Sequence, residues 1–338
     1  MKKIMAILPL FIMGVKGVCA DSFRRLPSPL FSIGTEGLFM KREVRDKGRV
    51  LIATEGENLL GREDTRVPFL TERMLGKELT HHWSLGEVGH LFLGRWGECV
   101  VRYRGPITSS ITMNVDQLAH PTNLSYHLVG SGSRDVYYSH AQQVVTRWNT
   151  RLTTLDVDYW RHMTSCLPDI FSLSWVAGIH ALKLEEGLNF DFSRKILPQN
   201  AQYEVAIKNR GLGPHLGAIF EWRLSSHLTW QLFFKGSFLY NEGHRMRRFM
   251  TDFATVEHPA HEEREVLKRG NFAYGFEGGP EFEILLMDKI SLSVGYPFLY
   301  MRGLVGSFDD LSLTKTTSMS ATQEIFYHGL LLSAVFSF

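Results

Sequence analysis

Apolar and polar side chains alternate with a two-residue period over unusually long segments of this chain. The clearest segment runs from Phe272 to Leu286, where every second residue is apolar, aromatic, Gly or Pro. A two-residue period places successive side chains on opposite faces of a β-strand. Strands of soluble proteins usually have about 5–6 residues, whereas strands that cross a membrane need about 9–11. A soluble sandwich would also alternate, but this length favours a closed membrane barrel.

The same pattern recurs through the second half of the chain and in its last thirteen residues, Phe326 to Phe338. Aromatic residues cluster near the ends of these segments, as in the interfacial girdles of barrels. The sequence also closes on an aromatic residue, Phe338, which is typical of outer-membrane barrels. We therefore predict that Phe338 is an assembly signal for the barrel-assembly machinery. The other alternating segments are Leu152–Trp160, Leu173–Ala181, Leu188–Ser193, Leu216–Leu224, Trp230–Tyr240 and Ile290–Tyr300.

These patterns predict an all-β fold, a closed antiparallel transmembrane β-barrel of about 12 strands within a range of 10–14. Short turns are expected near Ser225 and Met287, on the periplasmic side. Longer polar connections are expected at residues 243–270 and 303–323, on the extracellular side. In the less regular first half, Glu98–Arg104 and Ile107–Val115 are interpreted as a hairpin around Gly105-Pro106.

The N-terminus predicts secretion. Lys2 and Lys3 precede the apolar segment Ile4–Val15, and Val18-Cys19-Ala20 provides the small residues of a cleavage site. Residues 1–20 are therefore predicted to be a signal peptide and residues 21–338 one barrel domain in the bacterial outer membrane. The alternative is a buried N-terminal helix.

Composition limits the possible functions. The net charge of +2 gives no reason to expect nucleic-acid binding. Aromatic residues make up 12% of the chain, and the mean hydropathy of −0.09 suits a barrel whose strands alternate. After signal removal only Cys99 and Cys166 remain, and the sequence leaves open whether they form a disulfide or two thiols.

Several segments resemble the β-barrel porin families abundant in planctomycetes and chlamydia-like bacteria. The resemblance covers residues 146–241 and is carried by the segments Trp175–Leu188, Asn209–Ala218, Glu221–Ser225 and Lys235–Asn241, with a looser match at Ile33–Phe39. It implies a porin-like role and no catalytic residues.

The charged residues that alternate with the apolar ones are the candidate lumen residues. A charge on the lipid face costs about 2–4 kcal/mol near the midplane, so these side chains are expected to point inward. There they either tune ion selectivity or form a salt-bridge network that fills a narrow barrel. The candidates are Asp156, Asp158, Glu221, Arg223, Lys235, Glu277, Glu281 and Glu283.

No cofactor is expected, because no P-loop or Gly-rich dinucleotide motif is found. Neither His81-His82 nor His258-Pro-Ala-His261 has zinc-ligand spacing, so no metal site is predicted. The sequence has no G-x-S-x-G motif, although His180 and His328 lie near predicted strands and leave a lipid hydrolase as a remote alternative.

We expect a non-enzymatic outer-membrane channel for passive diffusion of small hydrophilic solutes or ions. The alternative is a structural or adhesive barrel with partner-binding extracellular loops. Outer-membrane lipid and lipopolysaccharide are expected partners, and the basic segment His244–Arg248 is either a lipopolysaccharide contact or an ordinary solvated loop.

Overall fold

The computed structural model describes residues 30–43, 50–56, 67–77, 79–116, 124–128, 141, 143–163, 170–193, 200–251, 261–287, 289–308 and 321–338. The predicted signal peptide, Cys166 and His258 lie outside these residues. No helix in the described part of the chain is both long and apolar enough to cross a membrane.

The described residues form strands almost throughout. In chain order the elements are β1 (Phe31–Glu43), β2 (Val50–Gly56), β3 (Val67–Thr71), helix α1 (Glu72–Lys77), β4 (Thr80–His81), β5 (Trp83–Phe92), a 3₁₀ turn (Gly94–Trp96), β6 (Glu98–Asp116), β7 (Leu124–Leu128), β8 (Gln143–Met163), β9 (Phe171–Ser193), β10 (Asn200–Arg223), β11 (Leu228–Thr251), β12 (His261–Met287), β13 (Ile290–Gly295), β14 (Phe298–Leu304) and β15 (Gln323–Ser337).

The main sheet closes on itself. Its order is β1-β5-β6-β8-β9-β10-β11-β12, then β13 and β14, then β15, and β15 pairs antiparallel with β1 from Ser32↔Ser337 to Glu43↔Phe326. Both β13 and β14 lie between β12 and β15, so they form one position interrupted at Tyr296-Pro297. The predicted closed antiparallel barrel is confirmed. Its ring has ten strand positions, at the lower limit of the predicted range.

Two smaller features lie beside the ring. The short strand β4 pairs with β6 through Thr80↔Ser110, and β2 pairs with β3 and β7 in a separate three-stranded sheet. All of these strands belong to the connections at one end of the barrel, which we call the long-loop end. The opposite, short-turn end has the turn Ser225–His227 between β10 and β11, as predicted. In barrels of this class the short turns face the periplasm.

Two local predictions were wrong. Gly105-Pro106 is a β-bulge inside the continuous strand β6, where the pairing with β8 shifts between Arg104 and Ile107. Because the bulge adds one residue, it interrupts the alternation and imitates a turn. Residues 243–270 are mostly strand: β11 and β12 pair as far as Thr251↔His261. Their frequent charges made this extension look like a loop.

The outer face of the barrel has an apolar belt. Its side chains come from every position of the ring and are exposed in the isolated chain; they include Ile33, Leu85, Val101, Leu155, Ile179, Leu216, Phe234, Phe276, Val294 and Leu332. Aromatic side chains border it at the short-turn end, where the Trp222 and Trp230 rings lie 4.6 Å apart and Tyr159 lies 5.6 Å from Trp175. Lipid offers no hydrogen bonds, and a closed ring with such a belt satisfies its backbone internally. The ring and its belt are those of a membrane-spanning β-barrel.

Apolar side chains fill much of the interior toward the long-loop end. One cluster includes Leu38, Leu152, Leu182, Leu184, Leu239 and Tyr327. Above it, a second cluster joins Trp148 and Phe190 of the barrel wall to Leu75 of α1 and Phe308 after β14. Residues from the connections therefore pack inside the barrel at its long-loop end.

Candidate functional site in the barrel lumen

A polar vestibule enters the barrel from the short-turn end. It has a volume of about 300 Å³, and its lining includes Glu221, Glu281, Glu283, Gln231 and several serines. Gln231 Nε2 lies 3.3 Å from a Glu283 oxygen and 3.5 Å from a Glu221 oxygen. Ser172 donates to Glu221, and Ser293 donates to Glu281. These three carboxylates are therefore positioned by neutral donors and face the water-filled mouth.

Deeper in the lumen is a set of nine polar side chains from seven strands, which we call the lumen charge cluster. The ionic groups at its centre are buried; Asp156 is only 1% exposed and Lys235 only 4%. Buried charges are costly unless they are paired and hydrogen-bonded. The members are Glu36, Arg102, Arg104, Asp156, Asp158, His180, His215, Lys235 and Glu277.

Ion pairs of the cluster connect distant walls of the barrel. Arg104 of β6 binds Glu277 of β12, and its Nε lies 3.1 Å from a Glu36 oxygen on β1. Lys235 Nζ of β11 lies 2.5 Å from Asp158 Oδ2 on β8. The Arg104–Glu277 and Lys235–Asp158 pairs cross the lumen, because their strands lie five and three positions apart in the ring, whereas Arg104 reaches Glu36 over β5 alone. Together they occupy the space that an open pore would need.

Two histidines join the carboxylates of β8 to the neighbouring strands. His180 Nδ1 lies 2.6 Å from Asp156 Oδ1, and His215 Nε2 lies 2.5 Å from Asp158 Oδ1. His215 is on β10, so its side chain crosses β9 at Gly178, its partner in the register. A Cβ on Gly178 would lie 2.8 Å from both Asp158 Oδ1 and His215 Nε2. Glycine at this position leaves room for the contact.

A second buried ion pair lies closer to the long-loop end. Arg42 of β1 binds Glu186 of β9, and its guanidinium lies 4.9 Å from the centre of the Trp148 ring. Glu186 also accepts hydrogen bonds from Gln323 and from the backbone of Ser307. Leu38 and Met40 of β1, with Leu182 and Leu184 of β9, point inward between this pair and the lumen charge cluster, so an apolar layer separates the two sets of charges.

The structure places all eight predicted lumen residues on the inner face. Asp156, Asp158, Lys235 and Glu277 belong to the lumen charge cluster, and Glu221, Glu281 and Glu283 line the vestibule. Arg223 is exposed at the mouth. Within the cluster, Lys235 binds Asp158 and Glu277 binds Arg104. Whether these residues control ion passage stays a prediction.

The sequence interpretation missed five members of the cluster. Glu36, Arg102 and Arg104 lie on β1 and β6, whose alternation is short or interrupted by the bulge. His180 and His215 were not assigned to the lumen, although each alternates with outward-facing apolar residues. The inward phase of His180 follows from Ile179 and Ala181 on either side, and this signal was available in the sequence.

The basic segment His244–Arg248 is neither a loop nor a single outward patch. It belongs to β11, and Arg245 and Arg247 point inward and are buried. Only His244, Met246 and Arg248 lie on the outer face, because side chains alternate along a strand. The lipopolysaccharide contact therefore cannot involve the whole segment.

The two histidines behind the hydrolase alternative have other contacts. His180 is buried against Asp156, on the inner face and away from lipid. His328 lies on the outer face, with Nδ1 2.6 Å from the Tyr296 hydroxyl and Nε2 3.1 Å from Glu43 Oε1. These contacts do not pair either histidine with a serine nucleophile.

No protein-family model matches the chain, and no curated protein matches it. Among solved structures, the outer membrane protease OmpT from Escherichia coli is 10% identical, covering 91% of this chain and 96% of that chain at a TM-score of 0.41. A major outer membrane protein from Thermus thermophilus is 11% identical, covering 91% and 98% at 0.34. The P. putida toluene transporter TodX is 8% identical, covering 93% and 91% at 0.30. Such low scores carry no information about function, and the porin-family resemblance stays a prediction.

Proposed function

We propose that this protein is a narrow, cation-preferring outer-membrane channel for ions or small hydrophilic solutes, with no enzymatic activity, in a closed conformation. Solute enters the vestibule at the short-turn end, and the lumen charge cluster forms the constriction. The observation that carries the proposal is the continuity of polar groups from the carboxylates of the vestibule to the charge cluster. The apolar layer above the cluster closes the rest of the lumen in this conformation.

Charge and solvation support this path. A barrel interior that only needs filling can be filled with apolar side chains, as this one is around Leu152 and Leu184. Burying ion pairs instead is often no more stabilising than apolar packing. Rings of acidic side chains select cations in pores, and three carboxylates held by neutral hydrogen-bond donors line the vestibule.

A second candidate is a structural barrel whose lumen is permanently filled. It is favoured by one observation, the packing of α1 and Phe308 into the apolar cluster at the long-loop end. In that case the cross-lumen ion pairs would act only as ties between walls. The two functions differ in one measurable property, because a permanently filled barrel carries no stepwise current.

The test is ion selectivity in planar bilayers under a salt gradient. One variant combines Glu221→Gln, Glu281→Gln and Glu283→Gln. Each substitution removes a vestibule charge without removing an ion-pair partner from the charge cluster. Glu277 is left unchanged, because its loss would leave Arg104 with one carboxylate fewer. We expect the cation preference to fall, so that the reversal potential moves toward zero.

The matched control is Glu242→Gln with Glu262→Gln, two exposed acidic residues on the outer face beyond the apolar belt. This variant also loses acidic charge but is expected to keep the reversal potential of the unmodified protein. Equal shifts in both variants, or no shift in the vestibule variant, would show that the vestibule carboxylates do not face the conduction path.

A further inference from the structure

Three side chains inside the lumen charge cluster have the chemistry of metal ligands. One ligand atom each from Asp156, His180 and His215 lies within 4.8 Å of the other two. All three residues are at most 2% exposed and lie on the adjacent strands β8, β9 and β10. We propose that they bind one divalent transition-metal ion of the zinc class.

The contact between His215 and Asp156 is longer than a hydrogen bond. His215 Nδ1 lies 3.7 Å from Asp156 Oδ1. Zinc binds His nitrogen and carboxylate oxygen at about 2.0–2.2 Å with tetrahedral angles, which separates two ligand atoms by roughly 3.4 Å. The gap between Nδ1 and Oδ1 therefore suits two ligands of one ion after a small adjustment.

The other nitrogen of His215 faces a carboxylate. Nε2 lies 2.5 Å from Asp158 Oδ1, at ion-pair distance but without the angles of a hydrogen bond. Metal-binding histidines usually hydrogen-bond a carboxylate through their second nitrogen, which fixes the ring and its tautomer, and Asp158 is placed to take that role once an ion orients the ring. Asp158 also holds Lys235 Nζ at 2.5 Å through its second oxygen, so that the ammonium group is paired.

Three polar atoms of the proposed site lack a hydrogen-bond partner. Among the described residues, Asp156 Oδ2, His180 Nε2 and His215 Nε2 are buried without a partner of hydrogen-bond geometry. Such an orphan atom costs about 1–3 kcal/mol, so each one needs an explanation. All three belong to the residues whose ligand atoms converge, and a bound ion would turn the two rings and the carboxylate toward itself and its water ligand.

The charge of the cluster also leaves room for a cation. Its carboxylates are Glu36, Asp156, Asp158 and Glu277, and its permanent cations are Arg102, Arg104 and Lys235. With both histidines neutral, these groups of the described cluster sum to one uncompensated negative charge. Two imidazoles and one carboxylate favour zinc, copper, nickel or cobalt over magnesium or calcium.

The first test is Zn²⁺ binding to the full-length protein, purified in detergent and stripped with a chelator, by isothermal titration calorimetry. We expect one equivalent of Zn²⁺. His180→Gln and His215→Gln should each abolish this binding, and Asp158→Asn, which keeps all three ligands, should weaken it about 10–100-fold. The control His162→Gln changes a histidine that lines the vestibule and should bind like the unmodified protein.

The second test needs no variant and therefore does not depend on how the substitutions fold. X-ray absorption of the zinc-loaded unmodified protein should show two imidazole ligands and at least one oxygen ligand. A shell made of oxygen alone would place the ion at the vestibule carboxylates and overturn the proposal. So would the absence of equimolar binding, or binding that His162→Gln removes and His215→Gln leaves intact.

Discussion

At the scale of single residues, small side chains make the charged lumen possible. Gly178 lets His215 cross β9 to reach Asp158, and Gly86 lies in the register between Glu36 and Arg104. A Cβ on Gly86 would lie 3.3 Å from the Glu36 Cβ. At both positions, long side chains of next-nearest strands meet across a residue that has no side chain.

Gly178→Ala is therefore expected to destabilise the barrel. Overpacking a filled interior typically costs about 1–3 kcal/mol, and here the added methyl group would press on the Val157 carbonyl oxygen as well as on Asp158 and His215. The measurement is the free energy of unfolding in urea, with the protein in lipid vesicles. Gly89→Ala is the control, because a Cβ there meets nothing within 4 Å. Equal stability of the two variants would contradict the tight crossing at Gly178.

The Lys235–Asp158 pair supports a second prediction at this scale. Lys235→Met removes one partner of a buried pair and leaves an uncompensated charge, which usually costs about 3–5 kcal/mol. Adding Asp158→Asn should recover part of this loss, because the unpaired charge disappears. Unfolding in urea measures both variants. Lys183→Met, which breaks a half-exposed pair with Glu185, should change stability by only about 0–1 kcal/mol.

If Lys235→Met unfolds no more easily than Lys183→Met, the ammonium group is solvated and the lumen is wetter than the structure shows. That outcome would remove the constriction from the proposed conduction path.

At the scale of strands, alternation predicted most of the barrel. The segments of β8 to β12, of β15, and of β13 together with β14 carry an apolar outer face long enough to cross a membrane, and the structure confirms them. The bulge in β6 and the charged extension of β11 were misread, because one inserted residue shifts the phase and because strands beyond the membrane need no apolar face. The pairing partners inside the lumen were not predictable, since alternation gives a face and not a register.

The apolar belt gives a prediction of its own. Leu216→Arg places a charge on the outer face of β10, and near the midplane this costs about 2–4 kcal/mol. Val266→Arg places the same charge on the outer face of β12 between Arg264 and Lys268, beyond the belt, where the cost should be close to zero. Both side chains are more than half exposed in the isolated chain. Equal losses of stability for the two variants in lipid vesicles would show that Leu216 lies no closer to the membrane midplane than Val266.

At the scale of the whole molecule, a ring of ten strands explains why the lumen is nearly filled. Barrels of about eight strands are filled by side chains and those of sixteen or more hold open channels. The sequence predicted a lumen that is narrow or plugged, and it indicated which charges point inward. It did not show that α1 and Phe308 pack into the long-loop end, because these contacts join segments far apart in the chain.

The most direct test of the proposed channel is single-channel recording of the refolded protein in planar bilayers, beside the double variant Leu182→Ala with Leu239→Ala. These two buried leucines pack over Gly211 in the apolar layer, and shortening them widens the lumen between the charge cluster and the long-loop end. We predict small, cation-preferring current steps for the unmodified protein and larger steps for the double variant. If circular dichroism shows that both proteins are folded and neither gives stepwise current, the channel is contradicted and the structural barrel remains.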